Sequence, residues 1–345
     1  MWIASSLSTV KAPTCVALGN FDGVHRGHRQ VIQPVCQLLQ NARAGRTAPT
    51  GSPAAESAER LYDLSIKAFS DSALATVLTF RPHPQEFFSK QRRLLLTPLA
   101  EKIHYLEEMG VEQLVLLPFD QALANLSPQE FFEKILVQCL QVQCISVGQD
   151  FRFGQRRAGT TQDLQTIAAQ HRIPVGITPL HCCKAERISS SAIRLALEQG
   201  DLDRANLLLG RPYALLGEVV QGQQLGRTIG FPTANLQLPP EKFLPRQGVY
   251  SVWVHLGGLK SGGLERKSDL LPGVMNIGVR PTLNGVQQTI EVHLLDWSAD
   301  LYGQTIAVYL DGFLRPEQKF ASLDELKAQI QRDSETARTR LLQQL

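Results

Sequence analysis

Two histidines in a glycine-rich stretch are the first residues of this sequence that could do chemistry. His25 and His28 lie three positions apart in Gly19–His28, which has the sequence GNFDGVHRGH. Residues three apart share a face at a helix entrance, so both imidazoles can donate to one ligand. Glycines let the backbone approach that ligand closely. The pattern is typical of a loop that holds nucleotide phosphates. A plain glycine-rich turn with two surface histidines is the simpler alternative.

The elements that must position these histidines can be predicted from the flanking residues. The apolar run Cys15–Leu18 predicts a buried strand, and the apolar positions between Val31 and Leu39 predict a helix. A strand, a glycine-rich turn and a helix form the usual setting for a bound phosphate. The flanks therefore favour the nucleotide interpretation.

A second strand, Leu74–Phe80, runs into the segment Thr79–Pro84, with the sequence TFRPHP. Its two prolines fix an extended turn just beyond the carboxyl end of the strand. Ligands bind at that end of the strands in open α/β sheets. A stiff loop whose aromatic rings cap the core explains the same residues equally well.

Two later segments could also contact a nucleotide. Gly148–Gly154, GQDFRFG, follows the predicted strand Cys144–Val147 and combines an acid, an arginine and two aromatic rings. In Arg187–Arg194, RISSSAIR, serines at a helix N-cap leave groups that can hold an anion. Arg194 lies one turn further on and could bind phosphate oxygens in a fork. An ordinary serine-capped helix is the alternative.

The second half of the chain has short strands separated by glycine and proline, which predicts a small antiparallel barrel followed by a helix capped by Ser322. Its segment Gly226–Asn235, GRTIGFPTAN, offers backbone N–H groups to phosphate. A threonine hydroxyl and an asparagine carbonyl there suit Mg²⁺. Glu291 lies in an apolar strand, where a carboxylate needs a partner or a purpose. A solvent-facing glutamate fits the alternation as well.

Composition bounds the class of protein. The chain has 345 residues, 43% hydrophobic and 19% charged, which predicts a globular protein of about two domains. A net charge of +3 is too small to indicate a nucleic-acid or membrane surface. Six cysteines without a CxxC pair favour free thiols in the cytoplasm. We predict no signal peptide and no membrane span. We also predict a surface insert at 41–60, a short helix at 61–69, and solvated side chains at Lys102 and His104.

Taken in order, these segments resemble the bacterial bifunctional riboflavin kinase/FAD synthetase family. GNFDGVHRGH is similar to the HxGH signature of nucleotidyltransferases, and GFPTAN is similar to the flavokinase signature. TFRPHP, GQDFRFG and RISSSAIR also match family segments, with Ser191 in place of a threonine. The resemblance implies a Rossmann-like nucleotidyltransferase domain at 1–185, with a parallel sheet and helices on both faces. It implies closing helices and a linker at 186–212. It also implies an antiparallel β-barrel flavokinase domain with a C-terminal helix at 213–345, and these parts together give an α/β architecture.

The resemblance also implies roles for individual residues. His25 and His28 would be catalytic in adenylyl transfer, and Glu291 would be the general base of the kinase. Those implied to bind ATP for adenylyl transfer are Gly19, Phe21, Asp22, Gly23, His25, His28, Asp150, Arg187, Ser190 and Arg194. Those implied to bind flavin there are Phe80, Pro82, His83, Pro84, Phe88, Asp150 and Phe153. The residues implied to bind ATP in the kinase are Gly226, Gly230, Pro232, Thr233 and Asn235. Thr233 and Asn235 would also hold the metal. The residues implied to bind flavin in the kinase are Glu291 and Arg315.

The implied chemistry uses ATP, Mg²⁺ and riboflavin, with FMN and FAD as later products. We expect only small-molecule partners, no nucleic acid, no membrane and a monomer. Other readings are that a single site is active, that the adenylyl group goes to a different acceptor, or that the chain is a non-catalytic flavin-binding regulator or an RNA-binding module. The last two predict lost catalytic polar residues or a basic, aromatic stripe, and the sequence shows neither.

Overall fold

The computed structural model describes residues 1–44, 72–183, 186–222, 226, 229–260, 269–282 and 285–343. Its contacts divide the chain into two compact units. The first comprises Met1–Arg93 and Lys102–Ile188, and the second comprises Leu94–Glu101 and Ser189–Leu345. Of the predicted insert 41–60 only residues 41–44 are described, and the predicted helix at 61–69 lies outside the described residues. The predicted domain boundaries stay predictions.

The first unit is built on a six-stranded parallel sheet in the order β1-β4-β3-β2-β5-β6. The bounds are β1 Trp2–Ala4, β2 Thr14–Leu18, β3 Leu74–Arg81, β4 Gln113–Pro118, β5 Val142–Gly148 and β6 Val175–Thr178, with a small antiparallel pair β7 Cys182–Cys183 and β8 Glu186–Arg187. The central strand β2 is buried along its whole length, because helices cover the sheet and every residue of the strand after Thr14 is apolar. The predicted Rossmann-like architecture is confirmed.

Two helices of this unit begin with a capping box. Ser127 and Glu130 form a capping box, as do Thr160 and Asp163. The helix after Ser127 continues in π geometry over Phe131–Cys139, which the apolar periodicity does not predict. The bounds are α1 Arg26–Arg43, α2 Pro84–Ser89, α3 Leu99–Glu108, α4 Gln121–Ala124, α5 Pro128–Glu130 and α6 Thr161–Gln170, and α3 begins in the segment that the second unit contributes.

The second unit is a closed barrel in the order β10-β13-β12-β11-β14-β9, with antiparallel pairing throughout. The predicted barrel is confirmed, although the short strand β10 is not among those expected. The bounds are α7 Ser190–Gln199, α8 Leu202–Leu209, β9 Tyr213–Val220, β10 Ala234–Gln237, β11 Gly248–Leu256, β12 Leu271–Thr282, β13 Gly285–Leu294, β14 Thr305–Arg315 and α9 Leu323–Leu342.

Alternation along the strands divides the barrel residues between its interior and the C-terminal helix. Tyr250, Val252 and Val254 of β11 are fully buried and fill the interior. Trp253, between them, packs outside with Leu341 of α9.

The capping prediction is confirmed, since Ser322 accepts a hydrogen bond from Glu325 N. No helix in the described ranges is long and apolar enough to cross a bilayer.

The segment Leu94–Glu101 is fixed within the second unit by a buried ion pair. Lys242 Nζ lies 2.6 Å from Glu101 Oε2, and the two side chains are 1% and 3% exposed. The same ammonium donates to Leu96 O at 2.8 Å and lies over the Tyr213 ring. Burial raises the pKa of Glu101, and the charge of Lys242 opposes that rise. Two residues from distant parts of the chain therefore depend on each other for their charge compensation.

One sequence prediction is wrong in a way that matters below. Lys102 was expected at the surface, but it is only 9% exposed, and its Nζ donates to Asn20 O at 2.9 Å. Burial lowers the pKa of Lys102, and the nearby Asp22 carboxylate opposes this change. His104, by contrast, is partly exposed and lies 3.5 Å from Glu108. The ammonium of Lys102 is thus part of the interior of the first unit.

Candidate active sites

The strand order of the first unit places two of the predicted segments at one crevice. From β2 the chain proceeds to β3 and β4 on one side, whereas β5 and β6 lie on the other side. In such a sheet the crevice for a ligand opens at the carboxyl ends of the two strands where the order reverses, here β2 and β5. Gly19 follows β2 and Gly148 ends β5. Topology therefore brings the histidine loop and the segment Gly148–Gly154 to the same edge.

The loop after β2 has an unusual backbone. Phe21 and Val24 have φ values of 48° and 40°, in the left-handed region that favours glycine, and Gly23 has a φ of 95°. Each non-glycine residue of this kind costs about 1–3 kcal/mol and persists only where its surroundings hold it. Phe21 and Val24 are also buried. A Cβ on Gly19 would lie 3.0 Å from the Phe21 ring, so a larger residue here would require the buried ring to shift. The fold holds this loop in one costly shape.

That shape stacks the two histidines. Their ring centroids lie 3.5 Å apart with an angle of 15° between the planes. His25 caps α1, because its Nδ1 accepts the backbone N–H of His28 at 3.2 Å. With Nδ1 accepting, the proton of a neutral His25 ring lies on Nε2, where it can be donated. Phe21 supports His28 edge-on at 5.3 Å. The predicted pair is thus brought together, although His25 precedes the helix.

Two more residues predicted to bind ATP meet in the first unit. Asp150 forms a close ion pair with Arg187, and both side chains are about half exposed. Asp150 also lies close to Gly148, since a Cβ there would approach its Oδ1 to 3.4 Å. The predicted residues Ser190 and Arg194 belong to the second unit. There Arg194 donates to Ser190 O at 3.3 Å, and the anion-binding role of both residues stays a prediction.

An aromatic cluster occupies the end of β3 and the start of α2. Phe80 packs edge-on against Phe119 at 5.6 Å, and Phe88 also contacts Phe119 while remaining 65% exposed. His83 caps α2 by accepting Gln85 N, and Pro84 is the first helical residue. Phe119 was not predicted; its position directly after β4 was the available signal. An exposed aromatic surface at this edge suits a flat ring.

Two other residues predicted to contact flavin are Pro82 and Phe153. Pro82, between Arg81 and His83, follows a cis peptide bond. Phe153 is only 5% exposed and packs in the core of the first unit. Its neighbour Phe151 stacks on it at 5.8 Å and is the more accessible ring. A role of Phe153 in flavin contact stays a prediction.

In the second unit, strand register places Glu291 between two asparagines. Glu291 of β13 is directly opposite Asn235 of β10 and Asn276 of β12. Opposite residues on adjacent antiparallel strands share a face, with their Cβ atoms about 4.5–5.5 Å apart. The predicted base and the predicted ATP ligand are therefore neighbours. Asn276 has no role in the sequence analysis, and only the register reveals it.

The loop before Asn235 is held by backbone and side-chain contacts. Gly226 O accepts Phe231 N at 2.8 Å, and Gly230 turns the chain with a φ of 92°. His293 Nδ1 donates to Pro232 O at 2.8 Å. Those contacts tie the loop to β13, the strand that carries Glu291.

Thr233 and Asn235 have the right chemistry for Mg²⁺. A hydroxyl and an amide carbonyl are hard oxygen donors, and Mg²⁺ usually takes its other ligands from water and substrate phosphates. The backbone lies close to both side chains, since a Cβ on Gly222 would overlap the Asn235 amide and one on Gly226 would lie 3.3 Å from Thr233 Oγ1. No cluster of three or more His, Cys, Asp or Glu that could hold a metal is found in the described ranges. A Mg²⁺ held by Thr233 and Asn235 would take its remaining ligands from water and nucleotide phosphates.

Arg315, predicted to contact flavin, makes an ion pair within the second unit. Its Nε and Nη2 donate to the Asp333 carboxylate of α9 at 3.0 Å and 2.7 Å. Asp333 is 6% exposed and also accepts Gln329 Nε2. Arg315 lies opposite Val249, which in turn pairs with Asn276. A flavin contact by Arg315 stays a prediction.

Comparisons with known proteins agree with this division. Residues 209–341 match the riboflavin kinase family model, and residues 7–48 and 61–192 match the FAD synthetase family model. The unmatched stretch 49–60 lies inside the predicted insert. Similarity also extends over almost the whole chain in individual relatives and in a solved structure.

The chain is 43% identical over 335 residues to a bifunctional riboflavin kinase/FMN adenylyltransferase of Escherichia coli (strain K12), covering 96% of this chain and 95% of the relative. It is 34% identical to the protein of the same name from Bacillus subtilis (strain 168), with coverages of 95% and 92%. The crystal structure of a macrolide-efflux protein from Streptococcus pneumoniae has a TM-score of 0.77 at 28% identity, covering 97% of this chain and 98% of that chain. This chain therefore belongs to the family of bifunctional riboflavin kinase/FMN adenylyltransferases.

Proposed function

We propose that this chain makes FMN from riboflavin in its second unit and FAD from FMN in its first unit, using one ATP for each step. The observation that carries the proposal is the separation of the predicted catalytic residues. His25, His28 and Asp150 lie in the first unit, whereas Asn235 and Glu291 are neighbours in the second. Two reactions on one vitamin need two such sites.

In the kinase reaction, Glu291 takes the proton of the riboflavin 5′-hydroxyl as that oxygen attacks the γ-phosphorus of ATP. The bond between the γ-phosphorus and its bridging oxygen breaks, and ADP leaves. Mg²⁺ on Thr233 and Asn235 would neutralise charge on the ATP phosphates. Asn276, on the other side of Glu291, has an amide that can orient the carboxylate or the attacking hydroxyl. The register of β10, β13 and β12 holds Asn235, Glu291 and Asn276 side by side.

In the adenylyl transfer, a phosphate oxygen of FMN attacks the α-phosphorus of ATP and pyrophosphate leaves. A phosphate dianion is already a nucleophile, so the step requires no general base. His25 and His28 donate to phosphate oxygens whose charge grows in the transition state. The loop places them together before ATP binds, which lowers the cost of orienting the reactants. The family resemblance adds Ser190 and Arg194 on the triphosphate and the aromatic cluster on the flavin ring.

We further propose that the chain acts as a monomer in the cytoplasm, with small molecules as its only partners. The small net charge of +3 supports the absence of a nucleic-acid partner. Sedimentation of the purified protein over a range of concentrations tests the monomer, and a stable dimer would contradict it.

The direct test is to incubate the protein with riboflavin, ATP and Mg²⁺ and to separate the flavins by chromatography. FMN should appear first and FAD second, with ADP and pyrophosphate as the other products. A parallel reaction that starts from FMN tests the first unit alone. Unchanged riboflavin would contradict the kinase proposal, and FMN without FAD would contradict the adenylyl-transfer proposal.

A further inference from the structure

Lys102 is a buried lysine that neither proposed reaction uses directly. It lies in the first unit, on α3, and is 9% exposed. Burying an ammonium is unfavourable, and burial lowers the pKa of this one. Such a group needs partners, and among the residues that the structure describes the partners of Lys102 are Asn20 and Asp22, in the loop that carries the histidines.

The contact that matters is to one backbone carbonyl. Asn20 O accepts Lys102 Nζ at 2.9 Å and Thr79 Oγ1 at 3.1 Å. This carbonyl belongs to the peptide unit directly before Phe21, the first residue of the loop with a left-handed φ. Two donors from separate elements, α3 and β3, therefore fix the plane of that peptide where the strained part of the loop begins.

The charge of Lys102 has a second partner in the same loop. The Asp22 carboxylate is 4% exposed, and its charge opposes the lowering of the Lys102 pKa by burial. One ammonium thus acts on both sides of Phe21, through the carbonyl of Asn20 and the charge of Asp22. Phe21 in turn supports His28 edge-on at 5.3 Å.

We propose that Lys102 is a positioning residue for adenylyl transfer, which holds residues 20–22 in the conformation that stacks His25 and His28. This inference rests on the proposed function of the first unit. Lys102 donates to the backbone of Asn20, so its effect on the reaction passes through the loop. A strained loop persists only where several contacts with its surroundings hold it in place. The hydrogen bonds from Lys102 and Thr79 to Asn20 O supply such contacts.

The test uses Lys102→Met, which keeps most of the side-chain volume and removes the donor and the charge. The kcat for FAD formation from FMN is expected to fall at least about tenfold, because a misplacement of about 1 Å can cost on the order of 100-fold. The KM for FMN should change less than about twofold, since the variant leaves the flavin-binding residues untouched. Riboflavin phosphorylation, measured in the same sample, reports whether the rest of the chain is intact and should be unchanged.

Two further variants separate positioning from simple packing. Lys102→Arg keeps a buried cationic donor and should recover part of the kcat. Lys134→Met is the matched control, because Lys134 is an exposed lysine of the first unit whose partner is Glu130. It should leave both activities within about twofold, as expected for an exposed ion pair. A Lys102→Met rate that equals the Lys134→Met rate would overturn the proposal.

Thr79 gives an independent test if Lys102→Met does not fold. Thr79→Val removes the second donor to Asn20 O at nearly constant shape, and Thr79→Ser keeps the hydroxyl. Thr79→Val should lower the kcat for FAD formation several-fold more than Thr79→Ser, and equal rates would overturn the proposal. In Lys102→Met/Thr79→Val the losses should not multiply, because both side chains act on one carbonyl.

Hydrogen exchange provides a readout that does not need activity. The backbone amides of residues 21–25 should exchange at least about tenfold faster in Lys102→Met than in the wild type, because the loop opens more often. Unchanged exchange would overturn the positioning role. If the wild type made no FAD from FMN, the proposed function would fail, while the exchange rates would still decide whether Lys102 holds the loop.

Discussion

The histidines of the first unit follow a loop in which Phe21 and Val24 have left-handed backbones, whereas Glu291 of the second unit lies within a regular strand. The loop is supported by contacts such as the hydrogen bond from Lys102 to Asn20 O. Glu291 needs only the register of β10, β13 and β12 to have an asparagine on each side. We infer that the loop site responds to distant changes in its support, and that the strand site responds mainly to changes in its own residues.

The largest effect should come from the strand site itself. Glu291→Gln keeps the shape and removes the base, so riboflavin phosphorylation should fall by about 10²–10⁴-fold, the usual contribution of general base catalysis. FAD formation from added FMN should remain at the wild-type rate. Both rates can be measured by chromatography in one preparation. A kinase rate close to that of the wild type would show that Glu291 is not the base.

The next effect breaks the loop site. His28→Ala should lower FAD formation from FMN by about 10²–10³-fold, because it removes a preorganised donor to the phosphates. Phosphorylation of riboflavin should not change. The measurement is the initial rate of pyrophosphate release with saturating ATP. Loss of the kinase activity instead would contradict the assignment of the two reactions to separate units.

A third change tests the support of the barrel. Asp333→Asn leaves Arg315 without a full counter-charge and should destabilise the second unit by about 3 kcal/mol, as for other partly buried ion pairs that lose one partner. Urea unfolding followed through kinase activity should show a lower midpoint. Asp296→Asn is the matched control, since Asp296 forms an exposed pair with Arg338 and exposed pairs contribute little. Equal midpoints for both variants would refute this prediction.

The smallest effect concerns a helix cap of the first unit. Glu130 accepts Ser127 N and pairs with Lys134, and these contacts lower its pKa to about 2. Because this pKa lies below the ordinary value of about 4.3, the stabilisation is complete above about pH 4.3 and is lost as the pH falls towards 2. Glu130→Gln should therefore be less stable than the wild type at pH 7, and the difference should shrink at pH 3.

Urea midpoints at several pH values test this prediction. Glu335→Gln is the control. Glu335 lies mid-helix on α9, where its carboxylate accepts a hydrogen bond from the side-chain amide of Gln331 rather than from a helix-end N–H, so a smaller effect is expected. A difference between Glu130→Gln and the wild type that stays constant with pH would contradict the role of the cap.

Much of the architecture could be predicted because local signals and motifs agree. Apolar runs marked the central strands, Ser322 marked the start of the C-terminal helix, and motif order indicated both families. The strands β1 and β10 are too short for periodicity to reveal, and tertiary pairing creates them. The π geometry of Phe131–Cys139 likewise leaves no trace in the apolar pattern.

Within the sites, the sequence could supply the reactive residues but not their support. Lysine is usually a surface residue, and the helix pattern around Lys102 gives no sign that this one is buried. Its burial results from packing against a loop about eighty residues earlier in the chain. Asn276 becomes a neighbour of Glu291 only through the register of β12 and β13. Contacts between positions distant in sequence carry this information, and composition or spacing does not contain it.

The segment Leu94–Glu101 constrains any attempt to cut the chain into working parts. A fragment that begins at Ser189 retains Lys242 but leaves behind the Glu101 carboxylate and the Leu96 carbonyl that the ammonium contacts. An ammonium buried without its counter-charge costs several kcal/mol, so such a truncation should express as aggregated or partly unfolded material. A portable kinase module would have to carry a grafted copy of residues 94–101, or replace the lysine with an apolar side chain.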